Sequence, residues 1–375
     1  MTVTSNISAP ELSHGSENPS LKNPIAHRQS RSWIAALAKF RNISARRSSF
    51  EIAITVLPFI ALWGITATLV LHGYWFGLIL TVPAAGFLVR LFILQHDCGH
   101  GNLYARRSMN DWIGRVIGVL TFTPYDYWRR THAIHHASAG NLDRRGVGDV
   151  DTLTVREYRA LSRWGRLRYW LYRHPVVMFG LGPAWLFVAQ YRLPYGLMRA
   201  GMQPWVSTIA TNLGIAAPFA LMIWLVGAST FFLVQVPITL MAASAGVWLF
   251  YIQHQFEETH WSEESDWDFQ HAALEGSSHY DLPPLLRWFS GNIGIHHVHE
   301  QHFLCRCQPR GHVGERGLRA LRAIERHEGS LQGVHETSKS APRNAACRTQ
   351  PLRVECNGVA HPLPVGVCWW ALALV

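Results

Sequence analysis

Residues 52–95 have the sequence IAITVLPFIALWGITATLVLHGYWFGLILTVPAAGFLVRLFILQ, in which Arg90 is the single charged residue. This run is about twice the length that one helix needs to cross roughly 30 Å of hydrocarbon. His72, Gly73 and Tyr74 interrupt it near its middle. The pattern therefore predicts two membrane-spanning helices, over residues 52–71 and 75–95, joined by a tight turn.

A second apolar run, residues 205–253, contains no Lys, Arg, Asp or Glu and is interrupted at 227–230 by Gly-Ala-Ser-Thr. It predicts another pair of spans, over 205–226 and 231–253. Buried helices of a large soluble core would explain one such run, but two paired runs favour a membrane protein. We therefore predict an all-α membrane protein with four transmembrane helices in two hairpins and a cytoplasmic helical cap.

The composition agrees with this fold class. Only 15% of the 375 residues are charged, whereas soluble domains average about a quarter. The composition excludes a disordered chain, a collagen-like chain and a small disulfide scaffold. Five of the six cysteines follow residue 304, and their spacing matches no zinc pattern.

The placement of arginine predicts the orientation. The connector at 101–173 contains 13 Arg, whereas both hairpin turns lack Lys and Arg. The positive-inside rule then places both termini and the connector in the cytoplasm. A connector that faces anionic headgroups explains the net charge of +10 without nucleic acid as a partner. We expect residues 1–50 to form a flexible N-terminal tail and residues 51–302 to form the membrane domain.

Three histidine clusters follow the predicted spans: HDCGH at 96–100, HAIHH at 132–136 and HHVH at 296–299. Positions three or four apart share one face of a helix, so the imidazoles within each cluster converge. Two complete hairpins return the chain to the same membrane face each time. The three clusters, and His254 at the end of the fourth span, are therefore expected to meet at that face.

Imidazole ligands suit Fe, Zn, Cu and Ni. About eight histidines exceed the four ligands of a single zinc site and indicate two metal ions. A single histidine is more often solvated or hydrogen-bonded than a ligand, but three clusters with helical spacing favour metal binding. Two redox-active irons would suit attack on an unactivated C–H bond, and a membrane suits a hydrocarbon substrate.

These residues resemble the membrane fatty-acid desaturases, a family with histidine boxes HxxxH, HxxHH and HxxHH, four spans and a di-iron centre. HDCGH matches the first box and HAIHH the second. The similarity continues through NLDRRGVGDVDTLTVREY at 141–158 and QHQFEETHWSEESDWDFQHAAL at 253–274. It covers about residues 52–299 and is closest to the acyl-lipid omega-6 type of bacteria and plastids.

The resemblance implies an enzyme of the bacterial inner membrane that uses two iron ions, O2 and two electrons to introduce a double bond into a lipid acyl chain. Carried over residue by residue, it implies these iron ligands: His96, His100, His132, His135, His136, His254, His296 and His299. We expect Asp97 and Asp126 to orient ligand rings, or Asp97 only to cap the end of a helix.

The third box departs from the family pattern, because position 300 is Glu where the family has His. We expect Glu300 to bind as a carboxylate or His302 to take the vacant position. Residues 303–375 contain neither Tyr nor Asp, and we predict an atypical C-terminal tail outside the family frame. Impaired activity of the chain as written follows from this hypothesis.

The chain has no HPGG haem-binding segment, so electrons are expected from a separate carrier, a ferredoxin or a b-type cytochrome. An alternative with the same chemistry is a membrane hydroxylase or ketolase that acts on a carotenoid or an alkane. A bis-His haem electron carrier is less favoured, because the clusters lie at helix ends and in loops. A transporter is disfavoured by the lack of intramembrane charge in the second hairpin.

Overall fold

The computed structural model describes residues 43–257, 259–269, 272, 276–278 and 282–294. Within these ranges the regular secondary structure is helical, and an isolated β-bridge pairs Asn141 with Ser262. The helices in chain order are α1 (Ala45–Leu71), α2 (Thr81–His100), α3 (Arg107–Leu120), α4 (Tyr125–Ser138), α5 (Val155–Ala160), α6 (Arg163–Arg173), α7 (Gly182–Val188), α8 (Met202–Val226), α9 (Ala228–His254) and α10 (Pro284–Phe289).

Four helical segments of the described chain are long and apolar enough to cross a membrane. They are α1, α2 together with the 3-10 turn Trp75–Leu80 that precedes it, α8 and α9. Over the described residues, the prediction of an all-helical protein with four spans is confirmed. The pairing of the spans in hairpins and the cytoplasmic location of the cap stay predictions.

Helix α1 begins at Ala45, earlier than the apolar run indicates, and so includes residues that we expected in the flexible tail. The helix can begin this early because the charged side chains of its first turns form ion pairs within the fold. The Glu51 carboxylate, which is 1% exposed, pairs with Arg47 one turn earlier and with Arg90 of α2. Ser44 caps the helix by accepting a hydrogen bond from the backbone N–H of Arg47.

Helix α2 is the centre of the membrane domain and packs against α1, α3 and α9. In the span that contains α2, 56% of the most apolar 18-residue stretch is buried inside the protein, whereas in α8 the buried share is 6%. Side chains from both halves of α2, including Ala84, Leu91 and Leu94, are fully enclosed. The histidines at the end of α2 are therefore attached to the most tightly packed element of the fold.

The shorter apolar segments do not form further spans in the described chain. Helix α3 buries Gly114 and Ile117 and exposes Trp112 and Val116 on its other side. The apolar sequence at 174–197 is interrupted by three prolines and Arg192, which favours an interfacial helix over a fifth span. The structure has short elements there: the π-helical turn Val177–Leu181, α7 and the 3-10 turn Gln190–Arg192.

Candidate metal centre

The first two histidines are placed by the C-terminal turn of α2. His96 and His100 are four residues apart and share one face of the helix. Gly101 then ends the helix with φ +74°, a left-handed conformation that glycine adopts without a steric penalty. His96 is buried and His100 is half-buried, so both rings face the interior of the domain.

The second cluster lies on α4, which is held against the end of α2. The Tyr125 hydroxyl lies 2.9 Å from the Cys98 carbonyl oxygen and 3.0 Å from a carboxylate oxygen of Asp111. Asp111 belongs to α3 and also pairs with Arg129 of α4. These contacts fix the register of α4 against α2, and with it the position of the second cluster.

Four imidazoles from α2 and α4 converge on one point. Each offers a ring nitrogen, and these nitrogens lie within 4.8 Å of one another: His96, His100, His132 and His136. The Nε2 atom of His132 is 2.9 Å from that of His96, 3.1 Å from that of His100 and 3.0 Å from that of His136. Neutral imidazoles that face one another present lone pairs to a shared point, which is the donor set of a nitrogen-liking metal ion.

The Trp128 indole packs against this group. It stacks on the His132 imidazole with a centroid distance of 4.6 Å and an interplanar angle of 17°. It also packs against the His96 ring, with a distance of 5.6 Å between the ring centroids. Residues 128 and 132 are one helical turn apart, so α4 supplies both a ligand and the surface that holds it. The histidine pattern gives no signal for this role of Trp128.

A second pair of imidazoles lies beside the first group. His135 of α4 and His254, the last residue of α9, have their Nε2 atoms 3.3 Å apart. The centroid of the His135 ring is 5.8 Å from that of His132. The rings of His135 and His254 are buried. Helix α4 therefore contributes to two neighbouring groups of nitrogen donors, as two adjacent metal ions would require.

Asp149 orients the second pair. Its carboxylate, 8% exposed, accepts a hydrogen bond from Nδ1 of His135. This fixes the proton on Nδ1 and leaves the lone pair of Nε2 facing His254. The spacing of the histidines does not predict the role of Asp149, because a residue in the loop after α4 has no helical spacing to His135.

Gly148 allows the loop to approach α4. It has φ +74°, and a Cβ atom at this position would lie 3.2 Å from the Thr131 carbonyl oxygen and 3.3 Å from the Cβ of His135. Only a residue without a side chain fits both the conformation and the distance. The Gly-Asp pair at 148–149 is the signal that the sequence contained for this contact.

The two aspartates selected from the sequence lie in different surroundings. Asp97 is buried, and its nearer carboxylate oxygen is 3.8 Å from Nδ1 of the adjacent His96. Asp126 lies in the first turn of α4, where both of its oxygens accept hydrogen bonds from Arg115 at 2.8 and 3.2 Å. This contact raises the pKa of Arg115 above its usual value. The structure thus brings Asp97 to the histidines and ties Asp126 to α3.

Third-box residues His296, His299, Glu300 and His302 lie outside the described residues. The segment that leads to them docks on α2 and α9. Gln253 donates a hydrogen bond to the Ile293 carbonyl oxygen at 3.2 Å. Phe289 packs edge-on against Phe87 with a centroid distance of 5.2 Å.

Comparison with known proteins agrees with the site. The family model described as fatty acid desaturase matches residues 69–299, which is more than half of the chain. The chain belongs to the fatty acid desaturase family. This confirms the family that the histidine boxes predict and identifies the chain as an oxidoreductase that desaturates acyl chains.

Three relatives show how far the similarity of this desaturase extends. It is 44% identical over 275 residues to a fatty acid desaturase of Bacillus subtilis (strain 168), covering 73% of this chain and 77% of the relative. It is 25% identical over 221 residues to an sn-1 oleoyl-lipid 12-desaturase of Synechocystis, covering 56% and 60%. It is 43% identical over 53 residues to an sn-1 acyl-lipid omega-3 desaturase (ferredoxin) of Synechocystis, covering 14% and 15%.

The family match ends at residue 299, directly before the position at which the third box departs from the pattern. Glu300 and His302 are therefore outside the matched region. The atypical character of residues 303–375 stays a prediction.

Proposed function

We propose that this membrane desaturase is a di-iron enzyme that introduces a double bond into the acyl chain of a membrane lipid, using O2 and two electrons. The observation that carries the proposal is the pair of adjacent imidazole groups, four nitrogens in one and two in the other, that share helix α4. The donors are imidazole nitrogens, of which those of His96, His135 and His254 are buried, and a carboxylate orients one of them. This chemistry fits iron.

One iron would be held by the first group and the other by the His135–His254 pair together with third-box residues His296 and His299. Glu300 or His302 would complete the second set. Bound iron supplies the redox chemistry that allows O2 to abstract hydrogen from an unactivated methylene pair. The protein keeps the His135 proton on Nδ1 through Asp149 and so holds Nε2 as a donor.

The relatives support the choice of substrate and reductant. One is named as acting on an oleoyl-lipid and another as an acyl-lipid desaturase that uses ferredoxin. We extend both properties to this chain: a lipid-linked acyl substrate and a separate carrier, a ferredoxin or a b-type cytochrome. The arginine distribution supports a cytoplasmic centre, where such a carrier has access, and the bacterial relatives support a bacterial inner membrane.

The test is expression in a bacterial host that lacks polyunsaturated lipids, followed by chromatography of fatty-acid methyl esters. We expect a new unsaturated species, in reduced yield because of the divergent third box. His135→Ala removes a donor from the second pair and is expected to abolish the product and lower the iron content per chain. The matched control is His72→Ala, because His72 is an exposed histidine at the end of α1.

Two outcomes would contradict the proposal. One is a hydroxylated lipid without a new double bond, which is the product of the hydroxylase alternative. The other is unchanged product and two irons per chain in His135→Ala. A Soret band in the visible spectrum of the purified protein would instead indicate a haem carrier.

A further inference from the structure

Helix α6 has an apolar face that is directed away from the rest of the described chain. Trp164, Leu167 and Leu171 share this face, because residues three or four positions apart project from the same side of a helix. The Trp164 side chain is 80% exposed, and the leucines are 44% and 45% exposed. An indole and two leucines on one outward surface indicate contact with a medium other than bulk water.

Arginines border this apolar face. Arg163 and Arg168 are exposed on α6. Residues 152–173 contain six Arg and a single acidic residue, Glu157. The Glu157 carboxylate pairs with Arg145, outside this segment. The helix is therefore a cationic surface whose natural counterions come from outside the segment.

The opposite face of α6 rests on the loop that follows Asp149. The Tyr172 hydroxyl accepts a hydrogen bond from the backbone N–H of Asp151 at 3.0 Å, and the Tyr169 hydroxyl accepts one from that of Leu153 at 3.2 Å. Burial raises the pKa of Tyr172 to about 12, so its hydroxyl stays protonated at neutral pH. The helix thus holds the loop that directly follows Asp149, the residue that orients His135.

A third contact connects α6 to the end of a membrane span. Arg173, which is 3% exposed, donates a hydrogen bond to the side-chain oxygen of Gln255 at 3.0 Å. Gln255 directly follows His254, the last residue of α9. Because α9 crosses the membrane, a helix bonded to the residue after its end lies close to the bilayer surface.

We propose that α6 docks in the headgroup layer of a bilayer that contains anionic phospholipid, and that docking steadies the loop behind Asp149. The role given to this loop rests on the proposed function. Trp is enriched at membrane interfaces, where its ring lies at headgroup depth. Arginine binds phosphate oxygens by paired hydrogen bonds. The pattern on α6, an apolar centre bordered by arginines, is that of an interfacial helix.

An acidic electron carrier is the other partner that arginines would attract. Its acidic surface would meet Trp164, Leu167 and Leu171 at the centre of this face, where there is no charge to pair. The bilayer satisfies both parts of the surface, since acyl chains cover the apolar residues and phosphates meet the arginines.

Docking is measured with a spin label at Trp164→Cys in lipid nanodiscs, by its collision rates with O2 and with a water-soluble nickel chelate. The background variant has the five cysteines after residue 304 replaced by Ser. The label at Trp224→Cys, an exposed residue of α8, gives the lipid reference, and Ser265→Cys in an exposed turn gives the water reference.

We expect the label at position 164 to be accessible to O2 rather than to nickel in nanodiscs with phosphatidylglycerol. Neutralising Arg163→Gln or Arg168→Gln is expected to lower the docked-to-undocked ratio about fivefold each, the factor that corresponds to about 1 kcal/mol per basic residue. The matched variants Arg163→Lys and Arg168→Lys keep the charge and should retain docking. The proposal is overturned if the label at position 164 has the accessibility of position 265 in every lipid. It is also overturned if the label is protected from the nickel chelate only after ferredoxin is added, which would assign the face to the carrier.

The effect on the loop is measured by hydrogen exchange of the amides of Asp151 and Leu153. Exchange should be slower in anionic than in purely zwitterionic nanodiscs, and this difference should disappear when Arg163→Gln and Arg168→Gln are combined. Tyr172→Phe separates the two steps: it removes the acceptor for the Asp151 amide, so protection is lost although docking persists. Equal exchange in both lipids overturns the coupling. Neither measurement uses turnover, so failure of the proposed function shows separately, in the lipid chromatography.

Discussion

The carboxylate of Asp149 determines which nitrogen of His135 is available to a metal ion. It accepts the Nδ1 hydrogen, so Nε2 faces His254. Asp149→Asn keeps the size of the side chain but weakens this contact, because a neutral amide is a poorer acceptor than a carboxylate. Loss of such a partner typically lowers metal affinity about 10- to 100-fold.

We therefore predict that purified Asp149→Asn contains less iron per chain and forms less product, with little change in thermal stability. The control is Asp266→Asn, a substitution of an exposed aspartate in the turn after residue 262. An iron content equal to that of the parent would show that Asp149 is not needed to orient His135.

The second prediction at this scale concerns Gly148. Gly148→Ala would introduce a Cβ 3.3 Å from that of His135 at φ +74°. We expect a loss of stability of about 1–2 kcal/mol from the left-handed conformation alone, and a lower iron content from displacement of the loop. Gly146→Ala is the matched control, because Gly146 also has positive φ, +103°, but has open space around its Cβ position. Iron loss that is equal in both variants would contradict a specific effect on His135.

At the scale of the helices, local patterns predicted the spans well and long-range contacts poorly. The predicted ends of α1 and α8 agree with the structure, because the turn residues that interrupt the apolar runs, His72 and Gly227, also cap these helices. The early start of α1 was missed, since Glu51 is satisfied by Arg90, which is 39 residues away in sequence. The convergence of His96, His100 and their partners followed from spacing, whereas the Asp149 contact depended on a loop conformation.

The buried ion pair between Arg90 and Glu51 predicts that the packing of α1 against α2 contributes to the stability of the fold. The Arg90 guanidinium lies 2.5 Å from the Glu51 carboxylate, 3.2 Å from the Thr55 hydroxyl and 3.9 Å from the centroid of the Trp288 ring. It thereby ties α1 and α10 to α2. Arg90→Met leaves a buried carboxylate with one partner, Arg47, and should cost about 3 kcal/mol.

The measurement is chemical unfolding in detergent micelles, with Glu51→Gln and the double variant completing a cycle. We expect the double variant to be more stable than Arg90→Met alone, because the unpaired charge is removed. Additive losses would show that the two side chains act independently.

At the scale of the whole molecule, the arginine distribution predicts topology. The turns at 72–74 and 227–230 should be periplasmic, and the histidine groups cytoplasmic. Ser229→Cys, an exposed position at the start of α9, should react with an impermeant maleimide in intact cells. Ser265→Cys, in the exposed turn on the histidine side, should react only after permeabilisation. The reverse pattern would invert the orientation.

The last prediction concerns the end of the chain, beyond the described residues. The family pattern completes its third box with adjacent histidines, whereas this chain has Glu300 after His299. A carboxylate binds iron but is an anionic oxygen donor, whereas imidazole is a neutral nitrogen donor, so Glu300 changes both the charge of the site and the type of donor atom. We predict that the parent chain holds fewer than two irons and gives a low product yield.

Three chains separate the causes: the parent, Glu300→His, and Glu300→His with residues 303–375 replaced by a tail from a relative. If the tail lies outside the family frame, the single substitution recovers little iron, because the segment that should support the box is still missing. The combined change should restore both iron and unsaturated product, measured by metal analysis and lipid chromatography. Full iron occupancy and ordinary yield in the parent would show instead that Glu300 or His302 completes the site.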